Sequence, residues 1–123
     1  FKSEDPLYKL TQLKVYLRTI TNALIDQAIH CEGMTEEEMM KLLTQTAFQE
    51  ESEARGKWRR AQLSYTQLST YFVGFLEHFE TREAYKAKQG ASFNLKKYHD
   101  SVLAFGSPPM KFARALLMGD KIL

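Results

Sequence analysis

Apolar residues recur along this chain at spacings of three and four, the pattern of helices that each bury one face. The first run is Leu10, Leu13, Leu17, Ile20 and Leu24. It follows Asp5-Pro6, a capping residue before a proline at the first helical position, where the missing N–H costs nothing. No proline interrupts the run before Gly33, so a long first helix is predicted over about residues 6–30. Thr35-Glu-Glu-Glu38 then has capping-box spacing: the hydroxyl accepts from the N–H three residues on, and that glutamate reaches back. Met34 and Met39 flank the cap at hydrophobic-staple spacing. This second helix carries Met39, Leu42 and Leu43 and is expected to end near Gln45. A third is predicted over about residues 47–62, tolerating Gly56 at about 1 kcal/mol relative to alanine.

Ser64-x-x-Gln67 is a weaker capping box that would open a fourth helix. Leu68, Phe72, Phe75 and Phe79 form its stripe, Tyr71 and Leu76 broaden it, and Gly90 follows its end. Asn94 is placed to cap a fifth helix that stops at Gly106. Ser107-Pro108-Pro109 starts a sixth, short helix with Phe112, Leu116 and Leu117. No window alternates as a strand would, and no fixed-period repeat occurs. The pattern predicts an all-α protein, about six helices in an irregular bundle, forming one helical region across residues 1–123. The stripes on the first and fourth helices are wide. Most of that surface is expected in the core, with part left for a neighbour outside the chain.

Composition narrows the function classes. The 123 residues are 44% hydrophobic and 26% charged, which is globular rather than disordered. Seventeen basic against fifteen acidic residues give a net charge of +2, too balanced to predict nucleic acid or an anionic membrane as partner. The single cysteine, Cys31, excludes an internal disulfide and leaves the redox compartment open. No apolar run reaches the roughly 18 residues of a membrane span. The opening Phe1-Lys-Ser-Glu-Asp-Pro lacks the layout of a signal peptide and has no initiator methionine, which suggests a piece of something longer.

Candidate chemistry is sparse. The three histidines, His30, His78 and His99, do not form His-Glu-x-x-His, so the chain lacks the ligand set of a self-contained catalytic metal centre. Asp26 and His30 lie four apart on the first helix, where a carboxylate can orient an imidazole; a surface ion pair is the plainer reading. His99 and Asp100 are adjacent and diverge, and His78 reads as a solvated rim residue. Arg55-Gly-Lys-Trp-Arg-Arg60 interleaves basic and aromatic residues as nucleic-acid binders do, but Glu51–Arg55 and Glu53–Lys57 spacings give local ion pairs instead. Gln67 and Tyr71 also lie four apart, on one face, where both can donate to a developing oxyanion. A core or interface aromatic is the plainer role for Tyr71.

The order of these motifs resembles the C-terminal part of the bacterial domain-of-unknown-function 885 family, whose members look like zincin-type metallopeptidases. The family's Asp-Thr-Gly-Ile-His and Gly-Trp-Thr-x-Glu are matched by Asp26-Gln-Ala-Ile-His30 and Gly33-Met-Thr-Glu-Glu. Its Arg-Tyr and Pro-Gly-Gln-Ala-Leu-Ser-Tyr-Lys-Ile-Gly correspond to Arg60 and to Tyr65-Thr-Gln67-Leu-Ser-Thr-Tyr71-Phe-Val-Gly74. Phe93-Asn-Leu-x-x-Tyr98-His99-Asp100 is similar to its Phe-Asp-Leu-x-x-Phe-His-Asp, and Leu103-Ala-Phe-Gly106-Ser-Pro-Pro109 to its Leu-x-x-Gly-x-x-Pro. The likeness runs from about Leu7 to Leu117. Two departures stand out: Tyr65-Thr66 replaces Pro-Gly, and Asn22 replaces the arginine usually found four residues before the Asp.

The resemblance implies a two-part active site. The family's zinc motif, of the form His-Glu-x-x-Pro-Gly-His-His, lies upstream of the matched region. This chain would then hold no cofactor itself, while zinc is expected in the parent protein. Its partners would be the missing N-terminal part and a peptide substrate. By the same resemblance, His30 and Tyr71 would contact the tetrahedral intermediate, Arg60 and Gln67 would bind substrate, and Asp26 would orient His30. The alternative is a stand-alone helical interaction module without catalysis.

Overall fold

Asp5 caps the first helix as its sequence suggests, its carboxylate accepting from the Leu7 N–H at 2.9 Å. The computed structural model describes residues 4–121, and these are all-α, with six α-helices and no strand among them. Helix α1 spans Pro6–Cys31, α2 Glu36–Lys41, α3 Glu51–Leu63, α4 Gln67–Gln89, α5 Leu95–Ala104 and α6 Met110–Met118. Two compact units divide the chain, Phe1–Phe72 and Val73–Leu123.

Gly33 ends α1 in the left-handed region (φ +73), letting the Met34 N–H return to the Ala28 carbonyl at 3.0 Å. The Thr35–Glu38 capping box forms in full, with the Thr35 N–H donating to Glu38 Oε2 at 2.8 Å. These hydrogen bonds to Thr35 hold the Glu38 carboxyl below its ordinary pKa. Asn94 caps α5 by accepting from the Lys97 N–H at 2.9 Å.

Two boundaries differ from the sequence reading. Helix α3 begins at Glu51, later than the expected start near Ala47. The cause lies upstream: α2 continues into a π-helical turn over Leu42–Thr46, closed by the Ala47 N–H on the Leu42 carbonyl at 3.0 Å. Phe48 then takes a left-handed conformation (φ 52), which breaks the helix. At the other boundary the Ser64–Gln67 capping box does not form. Ser64 Oγ instead donates back to the Arg60 carbonyl at 3.1 Å, and the start of α4 is held from elsewhere.

The core of the first unit joins Ile25 from α1, Met39 from α2, Leu43 from the π turn, Ala54 and Ala61 from α3, and Leu68 from α4. Ala54 and Ala61 are two turns apart on one face, and their small side chains let neighbouring helices approach. Met34 packs against the same cluster as Met39, completing the staple. In the second unit Tyr98, Met110 and Ala113 are buried, and Tyr85, Phe93 and Tyr98 form an aromatic cluster.

The wide stripes do not enter the core as expected. Leu10, Leu13, Ile20 and Leu24 of α1 are exposed, as are Tyr71, Phe75, Leu76 and Phe79 of α4. The core instead uses the adjoining α1 face, with Thr21, Ile25, Asp26 and Ala28. Within α4, Leu68 alone of the predicted stripe is fully buried. No helix of the described residues is long and apolar enough to cross a membrane.

Leu43 is completely buried among these residues. Leu43→Ala should destabilise the chain by about 2–5 kcal/mol, read from urea unfolding. A loss below about 1 kcal/mol would place the core elsewhere.

Candidate functional site

Asp26 is 3% exposed and sits on the core-facing side of α1. Its Oδ1 accepts from the Thr66 N–H at 3.2 Å. Its Oδ2 accepts from the Ser69 N–H at 3.0 Å and from the Ser69 hydroxyl at 2.8 Å. Helix α4 starts at Gln67, so the Ser69 amide belongs to its first turn and the Thr66 amide to the residue just before it, where the helix supplies no internal acceptor. A carboxylate forty residues upstream thus serves as the N-terminal cap, and its charge faces the positive end of the helix dipole. This satisfies the amides that Ser64 was expected to serve in part.

The turn into α4 bears strain. Thr66 has φ +66, a conformation that favours glycine and opposes a β-branched side chain. Thr66 also occupies the position where the resembling family carries glycine. The departure noted in the sequence therefore falls on the one residue of this turn that needs a left-handed backbone. At the other departure, Asn22 Oδ1 is buried without a hydrogen-bond partner among the described residues.

His30 stands one helical turn beyond Asp26. Its Nε2 lies 2.8 Å from the Ala61 carbonyl, which can only accept, so Nε2 carries a proton. Asp26 Oδ1 is 3.8 Å from the same nitrogen, an ion-pair distance and too long for a hydrogen bond. The imidazole is therefore oriented by the α3 backbone, with the Asp26 charge nearby. The Tyr65 ring meets it edge-on, with centroids 5.9 Å apart. The His30 side chain keeps 28% of its surface exposed.

Arg60 and Gln67 come together across the α3–α4 junction, the guanidinium Nη2 donating to Gln67 Oε1 at 2.7 Å. Both are exposed and line an open recess with Arg59 and Leu63. Tyr71 follows Gln67 by one turn of α4, is 56% exposed, and makes no hydrogen bond among the described residues. Asp26, His30, Arg60 and Gln67 thus gather where α1, α3 and α4 meet, with Tyr71 one turn along the surface. His78 and His99 are exposed in the second unit, and Asp100 pairs with Lys96 at 2.7 Å rather than with His99.

Sequence reasoning missed Tyr65 and Ser69, whose roles depend on contacts with α1. It placed Lys57 in a local pair with Glu53, which is present, but missed that Lys57 is buried. The signal was present: Lys57 falls between Ala54 and Ala61 at core-facing spacing. Its Nζ donates to Gln49 Oε1, and Gln49 Nε2 donates to Thr21 Oγ1 at 3.1 Å. Glu53 lies 3.6 Å from Lys57 and is ion-paired with Arg18. Burial lowers the Lys57 pKa, Arg18 adds to that, and Glu53 opposes it. Among the described residues no group of three His, Cys, Asp or Glu is placed to hold a metal ion.

The sequence profile of a family described as bacterial protein of unknown function (DUF885) matches residues 2–117. A solved structure described as a putative lipoprotein of unknown function from Shewanella oneidensis is similar, with a TM-score of 0.83 and 46% sequence identity. The similarity covers 85% of this chain and 19% of that one, so the chain spans about a fifth of that protein's length. No curated protein matches.

Two stability predictions follow from the junction. Asp26→Ala removes three hydrogen bonds and should cost about 2–4 kcal/mol in urea unfolding, whereas His30→Ala, losing one, should cost about 1. Equal effects would deny Asp26 its capping role. Thr66→Gly should raise stability by up to about 1 kcal/mol, because relief of the left-handed strain exceeds the added chain entropy. A loss would mean that Thr66 is not held at positive φ.

Proposed function

The chain belongs to the bacterial DUF885 family, and from that premise we propose that it is the C-terminal helical part of a zinc-dependent metallopeptidase. In this reading it forms one wall of the cleft and is inactive alone. The observation that carries the reading is the junction of α1, α3 and α4. There Arg60, Gln67 and Tyr71 present hydrogen-bond donors outward from a base fixed by buried Asp26. The length of the similar solved chain and the uncovered apolar faces of α1 and α4 support a part that works within a larger polypeptide.

The zinc and the general base belong, on this proposal, to a preceding part of the longer protein. This chain contributes positioning and charge stabilisation. The Arg60 guanidinium keeps donors beyond the one given to Gln67 and pairs with a substrate carboxylate. Gln67 holds the guanidinium in place and offers its amide to the substrate backbone. The Tyr71 hydroxyl, without a hydrogen-bond partner among the described residues, donates to the oxyanion of the tetrahedral intermediate. His30 already donates through Nε2 to Ala61, so it offers a second donor, at Nδ1, only as imidazolium.

The test is peptide hydrolysis by the longer polypeptide that contains this chain. Tyr71→Phe should lower kcat by about 10²–10³-fold with little change in KM, and Arg60→Ala should mainly raise KM. Removal of zinc by a chelator should abolish hydrolysis, and the isolated chain should have none. Unchanged kinetics in both variants, or hydrolysis by the chain alone, would overturn the proposal.

A further inference from the structure

The uncovered face of α1 has a regular spacing. Leu10, Leu13, Leu17, Ile20 and Leu24 alternate steps of three and four, which is a 3.5-residue repeat over two heptads. Leu17 is half-buried, and the other four are between 36% and 62% exposed. At 3.6 residues per turn the centre of this row lies about a fifth of a turn from that of Thr21, Ile25 and Ala28, which face the core. It runs for about 21 Å along the helix. Among the described residues nothing covers this continuous apolar row, which lies beside the core and not within it.

We infer that this seam receives an amphipathic helix, acidic along its flanks, from another part of the same longer polypeptide. The 3.5-residue repeat suits a helix crossing at a shallow angle, with side chains interlocking as knobs in holes. Charge selects the partner. Between Pro6 and Ile25 helix α1 carries Lys9, Lys14 and Arg18 and no acidic residue. Arg18 is ion-paired with Glu53, while Lys9 and Lys14 border the row on opposite sides. Two copies of α1 would bring like charges together, whereas a helix with glutamate or aspartate beside its apolar row is complementary. Length selects its source. The solved relative is 46% identical over the matched part, and about four fifths of its chain lies outside the match. That leaves ample polypeptide to supply such a helix. This inference does not depend on the peptidase reading.

Two measurements test it. In the solved relative, the side chains aligned with Leu10, Leu13, Ile20 and Leu24 should be covered by a helix of the same chain with acidic flanking residues. Coverage by a second copy, or exposure to solvent, would overturn the inference. In solution, the double substitution Leu13→Glu/Ile20→Glu is compared in this chain and in the longer polypeptide, by thermal unfolding and light scattering. The chain alone should keep its melting temperature, and the longer polypeptide should lose roughly 5 °C or more. No loss in the longer polypeptide, an equal loss in both, or a wild-type dimer that the substitution dissolves would each contradict it. Neither measurement reads hydrolysis, so this inference and the peptidase reading can fail separately.

Discussion

A carboxylate taken out of water is costly unless its oxygens find donors, and a helix N-terminus leaves amides without acceptors. Asp26 solves both problems with one contact. Its two oxygens take the Thr66 and Ser69 amides and the Ser69 hydroxyl, so the start of α4 is fastened to the middle of the core face of α1. The other features of the junction follow from that fastening. With α4 so placed, Leu68 enters the core beside Ile25, Gln67 reaches Arg60, and Tyr65 lies against His30. The His30 bond to the Ala61 carbonyl adds a second tie, from the end of α1 to α3.

The fold was legible wherever the information was local. The Asp5 and Asn94 caps, the Thr35–Glu38 box and the stop at Gly33 each depend on residues a few positions apart, and each is present. Legibility failed where distant residues intervene. The Ser64–Gln67 box looked like the start of α4, yet a residue forty positions earlier supplies the cap. The π-helical turn after Lys41 shifted the α3 boundary, because nothing in Leu42–Thr46 marks an inserted residue locally. Hydrophobic spacing identified α1 correctly as a helix but not which of its faces the chain itself buries. The spacing marks apolar positions, and it does not distinguish those that enter the core from those that stay exposed.

The candidate site was legible to a similar degree. Asp26 and His30 were found by spacing, and Arg60 and Gln67 prove to be hydrogen-bonded to each other. What spacing could not convey was the division of labour: Asp26 serves α4 more than it serves His30, and a backbone carbonyl orients the imidazole. The Tyr65-Thr66 departure gains a physical meaning as well, since it places a strained threonine at the entrance to α4. The junction thus combines a buried carboxylate that ties α4 to α1 with an exposed Arg60–Gln67 pair at its surface.

The junction depends on Asp26 acting as the cap of α4, and amide hydrogen exchange at Thr66 and Ser69 tests that most directly. First-turn amides have no acceptor inside their own helix and otherwise exchange quickly. If the carboxylate holds them, both should exchange as slowly as amides in the buried core, and Asp26→Ala should release them while leaving the Met39 amide of α2 protected. Exchange at the rate of free amides in the unmodified chain would show that α4 is not fastened to α1 in this way.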